Sequence, residues 1–232
     1  MELNTIVPWG RNFNEYQRMF NLSPQDLTKK ILGCGDGPAS FNQEMNDRGY
    51  RVTSVDPLYQ FSPEQIHQRI RDCYSLVLSE VYAHRDRFIW YYFNTVEALG
   101  QQRLATMDNF LAGYDQGKEE GRYLAQSLPS LTFESHQFDL ALCSHLLFLY
   151  SEQLDQQFHT ASILELLRVA QEVRIFPLVD LTGTDSIHLG AIVEFLRSKN
   201  YQVKLEPVSY EFQRGANQML VVRSSIVHLP RF

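Results

Sequence analysis

Cysteine is scarce in this chain: three residues in 232, at Cys34, Cys73 and Cys143. An odd number at wide intervals offers neither a disulfide framework nor paired metal-ligand spacing, and no close cysteine run is present to hold an iron–sulfur cluster. The histidines supply no metal set either. His67, His84, His136, His145, His159 and His188 are scattered and His228 lies in the tail, so no metal is expected. Positive charge is short as well. The 21 Lys and Arg stand against 27 Asp and Glu, a net charge of −6, without the clustered cations that grip phosphate backbones. Nucleic acid is therefore not an expected partner. No apolar run is long enough to span a bilayer, and Met1 to Gly10 has no basic segment followed by an apolar stretch. A soluble, unprocessed, cytoplasmic protein without membrane contact is expected.

No repeat, low-complexity tract or Pro/Gly/Ser linker divides the chain. With 44% hydrophobic residues it has the apolar material for one large domain or two small ones. Phe13, Tyr16, Met19 and Phe20 recur at helical spacing over 12–20, and Ser23-Pro24 reads as the cap and first turn of a short second helix. Ile31-Leu32 runs into Gly33-Cys34-Gly35-Asp36-Gly37-Pro38, followed by a helix over 39–48. The β-branched run Val52-Thr53-Ser54-Val55 then stops at Asp56-Pro57. Phe138 to Cys143 and Val173 to Phe176 read as buried strands around a helix over 154–170. A helix over 187–199 and two strands, 202–207 and 219–222, close the chain. This alternation predicts an α/β fold with a mainly parallel sheet covered by helices on both faces. Residues 62–121 depart from it. Ser62-Pro63 starts a helix, Ile66, Ile70, Cys73, Val77 and Val81 follow at helical intervals, and no convincing strand appears. The chain is read as one domain over 1–232, with a core of 1–61 and 122–232 and a helical insertion over 62–121.

A glycine-rich turn between a first strand and a helix lets backbone amides approach an anionic ligand at the helix's positive end, and an acid at the tip of the second strand accepts hydrogen bonds from a ribose. Gly33, Gly35, Gly37 and Asp56 stand in that order. On these residues the sequence resembles the class I S-adenosylmethionine-dependent methyltransferases, and Leu131-Thr132-Phe133 with Phe138 to His145 resembles that family's stretch from third strand to end of fourth. Two registers are open for the glycines. They are Gly33, Gly35 and Gly37, or the preferred Gly35, Gly37 and Ala39, which puts Gly33 where the family usually has a carboxylate. Neither register supplies that acid.

The resemblance implies a Rossmann-like, seven-stranded sheet with an antiparallel last strand and S-adenosylmethionine as cofactor. It assigns Gly33, Cys34, Gly35, Asp36 and Gly37 to the cofactor loop, and Asp56 and Pro57 to the ribose end. Ser127 and Leu128 fall near the adenine, with Cys143, Ser144 and His145 at the ligand-facing end of the fourth strand. Arg11 or Tyr16 would approach the cofactor's carboxylate. Tyr210, Arg214 and Asn217 would reach the acceptor from the last loop, and the insertion would form a lid with Trp90 and Tyr91 as pocket walls. His145 is either a general base or a wall residue. No Asn-Pro-Pro-Tyr type motif follows the fourth strand, which favours a small-molecule acceptor over an adenine or glutamine amide. The expected protein is a small-molecule methyltransferase, monomeric or homodimeric. A non-catalytic cofactor-binding protein, suggested by the missing acid, and a nicotinamide-dependent oxidoreductase are the alternatives. The oxidoreductase reading fits less well, because its third glycine would be Pro38 or Ser40.

Overall fold

Residues 7–224 are described by the computed structural model; the first six residues and the tail with His228 lie outside the described residues. The helix α1 (Phe13–Met19) opens on Asn12, whose side chain accepts the Glu15 N–H while the Glu15 side chain returns a bond to the Asn12 backbone. Ser23 and Asp26 do the same for the short α2 (Pro24–Leu27). The strand β1 (Ile31–Cys34), helix α3 (Phe41–Asp47) and strand β2 (Val52–Val55) then form the first parallel unit. After a 3-10 turn over Pro57–Gln60 come α4 (Pro63–Ala83) and α5 (Val96–Glu119). They are followed by β3 (Tyr123–Leu124), β4 (Phe138–Ser144), α6 (Gln156–Val169), β5 (Ala170–Phe176), α7 (Leu189–Ser198), β6 (Gln202–Pro207) and β7 (Gln218–Arg223).

The seven strands form one sheet in the order β3-β2-β1-β4-β5-β7-β6, parallel except that β7 runs antiparallel to both β5 and β6. The expected α/β, Rossmann-like seven-stranded fold is what forms. The reason is legible in β1 and β4. Both are apolar almost throughout and buried along their length, as central strands covered on two faces must be. The β6 edge is instead largely exposed, and its Lys204 and Glu206 suit an edge strand.

The third strand differs from the expectation. Residues 131–133 are loop, because side chains of α6 satisfy their backbone. Glu165 accepts the Leu131 N–H at 2.7 Å, and Arg168 donates to the carbonyls of Leu131 and Phe133. The ladder position beside β2 goes to Tyr123–Leu124, which the chain reaches directly from α5 through Gly121 at φ 73°. The insertion is also redistributed. The helix α5 lies on α3 and on β3, with Gly117 against the Tyr123 ring, so it serves as the crossover helix that a parallel β2–β3 pair requires. The helix α4 packs on α5, and its Ile66 and Ile70 join the cluster around Tyr59 and Tyr123. Among the described residues no helix is long and apolar enough to cross a membrane.

Candidate functional site

A cavity of about 700 Å³ opens at the C-terminal ends of β1, β2, β4 and β5. In open α/β sheets the crevice lies there because strand order reverses between neighbours, here at β1 and β4. The cavity brings together Cys34, Gly35, Asp36 and Gly37 from the first turn with Asp56 and Pro57 from the second strand's end. Ser127 and Leu128 join them from the loop after β3, Ser144 and His145 from the end of β4, and Arg11, Tyr16 and Tyr210 from elsewhere in the chain.

The turn favours glycine at three positions. Gly35 and Gly37 have φ of 69° and 53°, and a Cβ on Gly33 would run into the Asp36 carboxylate. Ala39 sits in ordinary backbone, so the turn reads as Gly33, Gly35 and Gly37, and the preferred alternative ending at Ala39 is corrected. The Asp36 carboxylate thus folds back over β1. Its two oxygens accept the Tyr16 and Ser54 hydroxyls at 2.7 and 2.6 Å. Burial pushes its pKa up to about 6 against those two hydrogen bonds, with Asp56 adding a smaller push. Tyr16 is held protonated by its own burial and by Asp36, so its hydroxyl is spent on fixing the turn. Asp56 is also raised by burial, while its two oxygens accept the backbone N–H of Leu58 at 2.8 Å and of Gly37 at 2.9 Å.

Positive charge is supplied by Arg11 and Arg103. Arg11 donates Nη1 to the Trp9 carbonyl at 2.8 Å, and its Nε has no hydrogen-bond partner. Burial, then repulsion from Arg103, lowers its pKa to about 10, which still leaves it a cation at neutral pH. Arg103 of α5 lies deeper and is neutralised by a two-point pair with Glu15 at 2.6 and 2.7 Å. Tyr210 donates to the same carboxylate at 2.8 Å. Burial alone would raise Glu15; the Arg103 cation and its hydrogen bonds outweigh that and hold it below the usual range. His145 ends β4 with φ 54°, and its Nδ1 lies 2.9 Å from Ser144 Oγ. Burial, then Arg11 and Arg103, drive its pKa well down, so the ring is neutral.

Several expected residues stand elsewhere. Cys143 is sealed in the β4 core, paired in register with Cys34, and burial raises its thiol to about 12. Gly33 lies beneath Asp36 rather than on the cavity. Trp90 and Arg214 face a separate depression, with Trp90 Nε1 on the Arg85 carbonyl and Arg214 Nε on that of Asp86. Tyr91 is 83% exposed, and Asn217 Nδ2 points to Glu211. The aromatic segment Phe88-Ile89-Trp90-Tyr91-Tyr92-Phe93 packs on the loop between β6 and β7. Phe88 and Phe212 stack at 4.8 Å and line the cavity in place of Trp90 and Tyr91. Arg103, Leu146 and these two phenylalanines were not singled out from the sequence. Arg103 carries a signal, since it shares the helical stripe of Leu99, Met107 and Phe110. The histidines also come closer than their spacing suggests. His159 and His188 have ring centres 4.8 Å apart, but three of their four ring nitrogens are taken up by backbone groups of Phe148, Asp155 and Ser151. Among the described residues no group of three or more His, Cys, Asp or Glu could hold a metal ion.

No family model matches the chain. A relative from Methanocaldococcus jannaschii, the uncharacterized protein MJ0045, is 36% identical over 224 residues, 96% of this chain and 98% of that one. The chain belongs to the MJ0045 family. Among solved structures, mitomycin 7-O-methyltransferase MmcR is 11% identical, with 92% of this chain and 54% of that one covered at a TM-score of 0.50. Magnesium protoporphyrin IX methyltransferase from Synechocystis PCC 6803, solved with bound S-adenosylmethionine, is 14% identical over 84% of this chain and 69% of that one at a TM-score of 0.44. The MJ0045-family chain has the class I S-adenosylmethionine-dependent methyltransferase fold.

Proposed function

We propose that the protein is an S-adenosylmethionine-dependent methyltransferase for a small molecule. The observation that carries this reading is the cavity end where Gly35 and Gly37, Asp56 and Arg11 converge. The residues fit the cofactor. A Cβ on Gly37 would meet nothing within 4 Å, so the turn leaves open space for a close-lying ligand. Each Asp56 oxygen takes one backbone N–H and keeps acceptor capacity for ribose hydroxyls. The Arg11 guanidinium, a cation on the cavity wall, suits the amino-acid carboxylate. Ser127 and Leu128, with the neighbouring Gln126, would border the adenine. The bound cofactor supplies a sulfonium methyl for in-line displacement, a reaction in which orientation and exclusion of water are the protein's main contributions.

The turn carries one carboxylate of its own, that of Asp36, which lies over Gly33 and is held by the Tyr16 and Ser54 hydroxyls. His145, neutral and backed by Ser144, is poised to take a proton from an acceptor but is a weak base in this setting. The antiparallel β7 between β5 and β6 departs from the all-parallel order of dinucleotide folds and disfavours a nicotinamide enzyme. Calorimetry with S-adenosylmethionine and S-adenosylhomocysteine tests the proposal. Both should bind, and Asp56→Ala should weaken both by about 1–3 kcal/mol, the range for a lost hydrogen bond to a charged group. No binding of either at millimolar ligand would end it.

A further inference from the structure

The cavity has two chemically different ends, and α4 runs past both. Gln65 and Arg69 face it near the start of the helix, beside the Asp56–Leu58 segment. Val77 and Val81 face it near the helix end. From Gln65 to Val81 is sixteen residues, about 24 Å along the axis at about 1.5 Å per residue. The charged residues lining the cavity are Arg11, Asp36, Asp56 and Arg69, none of them a member of the hydrophobic cluster that holds Val77 and Val81. That end is walled by Val77, Val81, Phe88, Leu99 and Phe212, four of which share one hydrophobic cluster with Phe212 packed against it.

Two polar residues that line the cavity are already committed. Tyr210 gives its hydroxyl to Glu15, and Gln213 gives Nε2 to the Asp180 carbonyl at 2.9 Å. A charged ligand would therefore lose its water there without replacement, a cost of several kcal/mol or more for an unpaired ion. One wall of this end is also fastened within the chain. The turn after α4 is tied to the loop between β6 and β7 by Ile89 N–H to the Phe212 carbonyl at 2.7 Å and by Arg214 N–H to the Arg87 carbonyl at 2.9 Å. Tyr92 adds its hydroxyl to the Ser209 carbonyl at 2.7 Å. No polymer chain could enter through such a wall without breaking it.

We infer that the methyl acceptor is a small, uncharged, predominantly apolar molecule, bound at the Val77–Val81–Phe212 end while the cofactor occupies the acidic and glycine end. This inference rests on the methyltransferase reading and adds to it the class of acceptor. The probe is N-phenyl-1-naphthylamine, an uncharged fluorophore, titrated into protein alone and into protein saturated with S-adenosylhomocysteine. It should bind once per chain in both cases with enhanced, blue-shifted emission. The anionic 8-anilinonaphthalene-1-sulfonate should bind at least tenfold more weakly. Val77→Phe, which fills the end, and Val81→Asp, which charges it, should each weaken N-phenyl-1-naphthylamine at least tenfold and leave calorimetric S-adenosylhomocysteine affinity within twofold. The retained nucleoside affinity certifies that a variant is folded, and either variant alone suffices. The inference is overturned if the probe and S-adenosylhomocysteine displace each other, if the anionic probe binds as well, if both folded variants bind the probe like the parent, or if the nucleoside binds and the probe does not. Probe binding without any nucleoside binding would instead bring down the methyltransferase reading and the acceptor assignment with it.

Discussion

Asp36 is an acid placed where water is scarce, and its ionisation opposes the fold. Its pKa of about 6 lies above the unfolded carboxylate range, so the folded state holds the proton more tightly. Between about pH 4 and 6 the folded chain then binds more protons than the unfolded one, and the Asp36 contribution to stability falls as pH rises through that window. Asp36→Asn should flatten the slope of melting temperature against pH there relative to the parent; an unchanged slope would show that the buried carboxylate titrates elsewhere. The direction is opposite to that of Glu15, which Arg103 keeps ionised. Such distinctions were not legible in the sequence. The string Gly-Cys-Gly-Asp-Gly announces a turn and Asp56 announces a partner for it. That the Asp36 side chain folds back onto Tyr16 and Ser54 depends on a rotamer that no spacing rule records.

At the scale of elements, periodicity located most helices and the central strands, because β1, β4 and β5 are apolar enough to be recognised without partners. The third strand was misplaced because Tyr123–Leu124 is only two residues long, and its identity comes from the ladder to β2 rather than from its own composition. Trp90 and Tyr91 were expected as pocket walls, but which rings of this segment face inward follows from the backbone ties to the β6–β7 loop, a contact far along the chain. The sequence likewise hides the tie from α5 to α1. Arg103 on α5 pairs with Glu15 on α1, which also receives Tyr210 from the loop between β6 and β7. Arg103→Met should cost about 3–5 kcal/mol in urea unfolding, because it strands the Glu15 carboxylate in the interior. Adding Glu15→Gln should restore part of that loss; a double variant no better than the single would mean that packing, not the stranded charge, dominates.

At the scale of the molecule, the cavity draws its walls from nearly every part of the chain: the segment before α1, four strand ends, α4, the start of α5 and the last loop. A ligand there binds only when all of these are in place, so its binding energy is returned as global stability. At a hundredfold excess over its dissociation constant S-adenosylhomocysteine should add about 2.7 kcal/mol, which for a chain of this size raises the melting temperature by about 5–10 °C. Reduced nicotinamide dinucleotide at the same concentration should leave it unmoved. The reverse pattern in a thermal melt would reassign the fold's ligand.

The contact between Gly33 and the Asp36 carboxylate makes two positions behave as one inherited unit. A methyl group at 33 evicts the carboxylate, and with the carboxylate displaced the constraint that keeps 33 bare disappears. Substitutions at these sites are therefore expected to be strongly non-additive, and within the MJ0045 family the two residues should vary jointly or not at all. A pattern that scores each position by itself passes over such a pair, whereas one that scores the two together would find it.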